Sequence, residues 1–109
     1  MSWELIYLPE VEKDYENLNH RQQLIVDKSI TKVQKNPLPQ NEGGYGKPLG
    51  HKLGNNLTGY LKIKLRSEGI RIIYKLIRTE TKMLVVVIGI REYEEVYEIA
   101  QRRIQKHNL

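Results

Sequence analysis

The stretch WELIYL (3–8) alternates its side chains and runs into Pro9, a pattern that predicts a first strand at a sheet edge. The period then changes. Val11, Tyr15 and Leu18 recur at helical spacing and predict a short helix ended by Asn19. Asn19 also serves as the N-cap of a second helix, with Gln22 at the capping-box position. Leu24, Ile25, Ile30 and Val33 supply that helix's apolar stripe until Asn36 and Pro37 stop it. The two helices make a hairpin.

Residues 37–59 hold three of the four prolines and six of the eight glycines, too many breakers for a helix or a long strand. The segment reads as a long loop forming a flexible flank of the site, and its GKPLGHKLGNN lacks the Gly-Lys-Ser/Thr ending of a P-loop. In GYLKIKLR, Leu61, Ile63 and Leu65 share one face and Tyr60, Lys62, Lys64 and Arg66 the other. The SEG turn offers glycine where a three-residue hairpin loop needs a left-handed residue. IRIIYKLIR (70–78) reads as an inner strand and MLVVVIGI (83–90) as a central one. A last helix follows, with Val96, Ile99, Ala100 and Ile104 as its core stripe. The expected fold is a single α+β domain, 1–109, in the order β-α-α-β-β-β-α: strand and helical hairpin, then an antiparallel sheet of about four strands with a C-terminal helix.

Charge sharpens this picture. The net charge is +5, but residues 43–82 alone carry +7. A field of one sign confined to a third of a small domain suits a polyanion, because Lys and Arg release counterions from phosphates. There is no cysteine, so disulfides, thiolate metal sites and thiol nucleophiles are excluded and a reducing cytoplasm is the expected compartment. The longest apolar run, Met83–Ile88, is too short to span a bilayer, and Glu4, Glu10 and Glu12 interrupt any signal-peptide pattern, so no membrane association is expected.

The residues supply little else that does chemistry. His20, His51 and His107 are scattered, without metal-ligand spacing, and no dinucleotide fingerprint is present, so neither a metal nor a cofactor is expected. Glu92, Glu94, Glu95 and Glu98 suit the first turns of the last helix, where its dipole favours acids. What remains is a cluster. Lys62 and Lys64 stand at i and i+2 on one strand, Arg71 lies across the hairpin, Arg91 ends the next strand, and Tyr97 reaches the same face if the last helix folds back along the sheet.

The run YLKIKLRSEGIRIIYKL, the segment GIREYEEVYEIAQRRI and the helical hairpin before them resemble the RelE branch of the RelE/ParE superfamily of bacterial type II toxin–antitoxin toxins, over essentially the whole chain. The family hairpin K-I-K-L-R-S-x-G-x-R is met by Lys62, Ile63, Lys64, Leu65, Arg66, Ser67, Gly69 and Arg71. Arg91, Glu92, Glu95, Val96 and Tyr97 meet most of the later K-R-E-x-x-E-V-Y element. Its first basic position is Ile90 here, an often basic position two residues after Arg91 is Tyr93, and loop 37–59 is longer than the compact family version.

The resemblance implies a small α/β protein shaped like microbial ribonucleases that cleaves messenger RNA in the ribosomal A site. It implies Lys64 as general base on the ribose 2′-hydroxyl, Lys62 and Arg71 stabilising the phosphate, Arg91 at the leaving 5′-oxygen, and Tyr97 stacking on or orienting a base. Lysine can act as a base when neighbouring cations lower its pKa from about 10, whereas arginine, protonated far above neutral pH, serves better as an electrostatic stabiliser. Lys47, Lys52, Arg66, Lys75 and Tyr93 are the expected RNA-binding flank. The implied partners are a cognate antitoxin protein, mRNA, the ribosome through 16S rRNA at the 30S A site, and operator DNA indirectly through the antitoxin. Two alternatives stay open: a ParE-like inhibitor of DNA gyrase, and a non-catalytic module binding RNA or an acidic partner.

Overall fold

The structure is a computed structural model and describes residues 3–52, 54–90 and 93–109. The chain opens with β1 (Glu4–Tyr7), α1 (Pro9–Glu16) and α2 (His20–Gln34). Asn19 and Gln22 close the expected capping box: the Asn19 side chain accepts from the Gln22 N–H at 2.8 Å and the Gln22 side chain accepts from the Asn19 N–H at 3.0 Å. Losing such a cap costs about 1 kcal/mol. The buried stripe of α2 is Val26, Ile30 and Val33. Leu24, expected in that stripe, is half exposed, because it stands about 200° of helix rotation from Val26.

The main sheet runs β1-β7-β6-β5-β2, with β2 at Lys47–Pro48, β5 at Tyr60–Leu65, β6 at Ile70–Ile77 and β7 at Lys82–Gly89. β3 (His51–Lys52) and β4 (Asn55–Asn56) pair separately, and α3 (Tyr93–Lys106) follows the sheet. The α+β class and the order of the larger elements agree with the sequence reading, and β1 lies at an edge as expected. The sheet, however, is mixed and five-stranded, since β1 joins β7 in parallel with Tyr7 opposite Val85. The long chain between β1 and β7 provides the crossover that a parallel pair needs. The middle strand is β6, and β7 owes its continuous apolar run to burial on both faces, with Met83 through Ile88 all buried.

Gly69 takes the predicted left-handed conformation, φ 66°, and thereby sets the β5–β6 register. Farther along, the β6–β7 register slips by one between Ile73 and Tyr74, leaving Val86 as a bulge.

Residues 36–46 form a hydrogen-bonded turn where a flexible flank was expected. The Tyr45 N–H donates to the Asn36 carbonyl at 3.0 Å, Gly46 to Leu38 at 3.0 Å, and Gln40 to Gly46 at 2.8 Å. The buried Tyr74 hydroxyl donates to the Pro37 carbonyl at 2.8 Å, and burial pushes its phenol well above the ordinary value. A Cβ at Gly44 would collide with the Leu38 carbonyl, and one at Gly46 with the Tyr74 hydroxyl. Here the glycines permit close packing, and β2 emerges from that turn to pair with β5.

α3 buries Val96, Tyr97, Ala100 and Ile104 against the sheet. Two sets of charged contacts join it to α1. Arg103 meets Asp14 through two hydrogen bonds of 2.6 and 2.9 Å, and His107 and Lys106 reach Glu10 at 2.9 and 3.1 Å. Hydrogen bonding from His107 is the main cause that holds the Glu10 carboxyl down to about 2. Among the described residues no helix is long and apolar enough to cross a membrane.

Candidate functional site

The site is built at the turn end of the β5–β6 hairpin. The Gly69 turn sets a register in which Lys64 faces Arg71, Lys62 faces Ile73, and Arg71 faces Gly89 on β7. Residues opposite one another in an antiparallel pair share a face, with Cβ atoms about 5 Å apart, so Lys64 and Arg71 point the same way as neighbours. Lys64 is exposed and Arg71 half-buried. Like charges directly opposite destabilise a sheet, and an anion between them reverses that sign.

α3 crosses the same face. It approaches closely because residue 89 is glycine, where a Cβ would collide with Val96. The crossing brings Tyr97 to Lys62, whose Nζ donates to the Tyr97 hydroxyl at 3.1 Å and lies 5.8 Å from the centre of the ring. This corrects two expectations. Lys62 does not share the solvated face of Lys64: it is only 4% exposed, since strand alternation gives a side chain's face but not what covers it. Tyr97 joins the cluster as expected, but its ring is fully buried and offers no face on which a base could stack.

Two hollows meet at this hairpin end. One, of about 240 Å³, is lined by Lys64, Arg66, Gly69 and Arg71. The other, of about 470 Å³, lies between α2 and the 36–46 turn and takes in Lys32, Tyr45, Lys47, Lys62, Lys64 and Arg66. Lys64, Leu65 and Arg66 line both. A cavity of about 600 Å³ between β1, α1 and α2, lined by Tyr7, Val11, Tyr15, Asp27 and Ile30, contains none of these cations.

Of the predicted flank, Lys47 stands opposite Lys62 on β2 and is exposed, and Arg66 lies in the turn between β5 and β6. Lys75 is separate. It pairs with Tyr60 at the far end of the hairpin, about 13 Å along β6 from Arg71 at ~3.3 Å per residue, with its Nζ 5.8 Å from the Tyr60 ring centre. Lys52 stands in β3, Tyr93 opens α3, and Arg91 lies outside the described residues. His107 is engaged by Glu10 in the contact between α1 and α3. No group of metal-ligating side chains occurs among the described residues.

Sequence reasoning missed Lys32 and Tyr45. Tyr45 is half exposed, and Lys32 Nζ lies 5.2 Å from the centre of its ring. The available signal was GGYGK, an aromatic residue set among glycines beside a lysine inside the most basic segment.

No family model matches the chain. Over 43 residues it is 46% identical to the mRNA interferase toxin RelE of Escherichia coli K12, and equally to the mRNA interferase RelE of Shigella flexneri. Those matches cover 39% of this chain and 45% of each relative, so they span less than half the length of the curated relatives. The likeness in fold extends further. A doubly substituted mutant of E. coli toxin RelE in the free state superposes with a TM-score of 0.72 at 26% identity, covering 95% of this chain and 99% of that one. The same mutant in complex with an antitoxin RelBc peptide gives 0.67 at 25% identity, covering 92% and 95%.

Proposed function

We propose that the chain, similar to RelE toxins in sequence over 43 residues and in fold over 95% of its length, is the toxin of a type II toxin–antitoxin pair of the RelE/ParE superfamily, cleaving mRNA as a ribosome-dependent endoribonuclease. The observation that carries the reading is the placing of Lys64 directly opposite Arg71, at the meeting point of two basic hollows. Attack of a ribose 2′-oxygen on the adjacent phosphate requires removal of a proton, in-line geometry and neutralisation of a phosphorane more negative than the substrate. Lys64, exposed between Arg66 and Arg71, takes the proton. Arg71 and Lys62 stabilise the phosphorane, and Arg91 stabilises the departing 5′-oxygen. Tyr97 is a positioning residue: its hydroxyl accepts from Lys62 Nζ and fixes where that charge sits.

Among the described residues the site has no histidine pair and no well-placed carboxylate, a set poorly matched to proton transfer at neutral pH, so cleavage of free RNA is slow. The ribosomal A site supplies orientation, a term worth on the order of 7 kcal/mol or more. The partners that follow are mRNA, the 16S rRNA of the small subunit, and an antitoxin that covers or distorts the basic face. The antitoxin in turn links the toxin to operator DNA. An acidic or amphipathic antitoxin segment suits the +7 carried by residues 43–82.

The test compares one message, naked and on a programmed ribosome with an empty A site. Rapid cutting on the ribosome alone is expected, leaving a 2′,3′-cyclic phosphate and a 5′-hydroxyl, with Lys64→Ala and Arg71→Ala each abolishing it and Tyr97→Phe lowering it. Equal rates on both substrates refute ribosome dependence, and a 3′-hydroxyl product refutes attack by the 2′-oxygen. DNA damage on expression without early loss of mRNA would favour gyrase inhibition.

A further inference from the structure

We propose that the groove between α2 and the 36–46 turn is a single-stranded RNA subsite, with Tyr45 as a stacking platform for a base and Lys32 and Lys47 on the neighbouring phosphates. The inference rests on the endoribonuclease reading for which strand it holds: the segment flanking the phosphate at Lys64 and Arg71.

Four observations carry it. The groove, about 470 Å³, gathers Lys32, Lys47, Lys64 and Arg66 with no carboxylate among the described residues of its wall. It borders the hollow at Arg71, Lys64, Leu65 and Arg66 lining both, so it lies beside a strand that leaves the cut. Tyr45 stays half exposed although it is held in place, its N–H bonded to the Asn36 carbonyl at 3.0 Å and its ring beside Lys32 Nζ at 5.2 Å. The backbone beneath it is fixed by Gly44 and Gly46, which pack too closely for any other residue. An exposed aromatic ring on a rigid turn, set among cations, is what sequence-tolerant recognition of a single strand requires. Bases stack on the ring while Lys and Arg track the backbone. An acidic peptide would use the same cations but has no need of the ring.

The probe is a fluorescent 2′-O-methyl RNA oligonucleotide, which cannot undergo attack by its own 2′-oxygen and so reports binding without cleavage. Measured by anisotropy with the intact chain, Tyr45→Ala should weaken binding about tenfold. Tyr45→Phe should retain it, and Lys32→Gln should lower the slope of log affinity against log salt by about 0.7. Matching thermal melts check that the variants are folded. Binding by Tyr45→Ala within twofold of the parent, or an equal loss for a polyglutamate probe, overturns the subsite. Loss of RNA cleavage as a property of the chain, with the Tyr45 and Lys32 effects on the oligonucleotide intact, would remove the enzymatic reading and leave the subsite standing.

Discussion

Replacing Asp14 by alanine should be the most damaging single change to the frame that carries the site. Asp14 on α1 accepts two hydrogen bonds from Arg103 on α3, at 2.6 and 2.9 Å, and a third from the backbone N–H of Ile88 on β7 at 3.0 Å. Arg103 also donates to the Val86 carbonyl at 3.0 Å. Both side chains are largely buried, at 16% and 14% exposure for Arg103 and Asp14. Alanine at 14 leaves the guanidinium with one acceptor from this set and the Ile88 N–H with none of it. Breaking a buried pair from one side costs about 3–5 kcal/mol, and the residual exposure here places the loss near the lower end, about 3 kcal/mol. For a domain of this size that corresponds to a fall in Tm of about 12–24 °C. Urea denaturation followed by circular dichroism measures the loss directly. The control is Glu80→Ala, which breaks the exposed Lys82–Glu80 pair of 2.9 Å and should cost less than about 1 kcal/mol. If Asp14→Ala cost no more than this control, the reasoning that α1, β7 and α3 are joined through this carboxylate would be wrong.

Gly89→Ala should lower both stability, by about 1–3 kcal/mol through overpacking against Val96, and cleavage, because α3 must back away and draw Tyr97 from Lys62. Full cleavage by a destabilised Gly89→Ala protein would separate the position of α3 from the chemistry. Glu10 titrates at about 2 in the folded chain against an ordinary 4.5. Its contribution to stability is therefore complete above 4.5 and lost as pH falls toward 2. Glu10→Gln should flatten the decline of the urea midpoint across that window, and superimposable declines in parent and variant would rule this contribution out.

What the sequence revealed, and what it hid, follows from the range of the interactions involved. That Arg71 lies across the hairpin from Lys64 was legible because a short turn ending in glycine sets register locally, although the turn holds four residues, Arg66–Gly69, where three were expected, and this is what puts Lys64 directly opposite Arg71. The Asn19 capping box was legible for the same reason. The parallel pairing of β1 with β7 was not, since its partner lies more than seventy residues away and alternation carries no record of which edge a strand joins. The burial of Lys62 was hidden because it depends on α3, which approaches through a single glycine at 89. The folded turn at 36–46 was read as loose because glycine and proline suggest breakage when counted. Their packing against Leu38 and Tyr74 exists only in three dimensions, and with it the setting of Tyr45 and Lys32.

The pairing of β1 with β7 ends at Val85, and past that point β7 runs on as an edge strand. An edge of that kind, apolar from Val85 to Ile88, is a template on which another chain can add a strand. Two of its backbone groups are already occupied, the Ile88 N–H by Asp14 and the Val86 carbonyl by Arg103, so a carboxylate and a guanidinium take the positions an incoming strand would use. The bulge at Val86 further spoils the flat repeat that such an addition needs. The pair thus also bears on solubility: chains that lose it should associate through β7 under conditions in which they are still mostly folded.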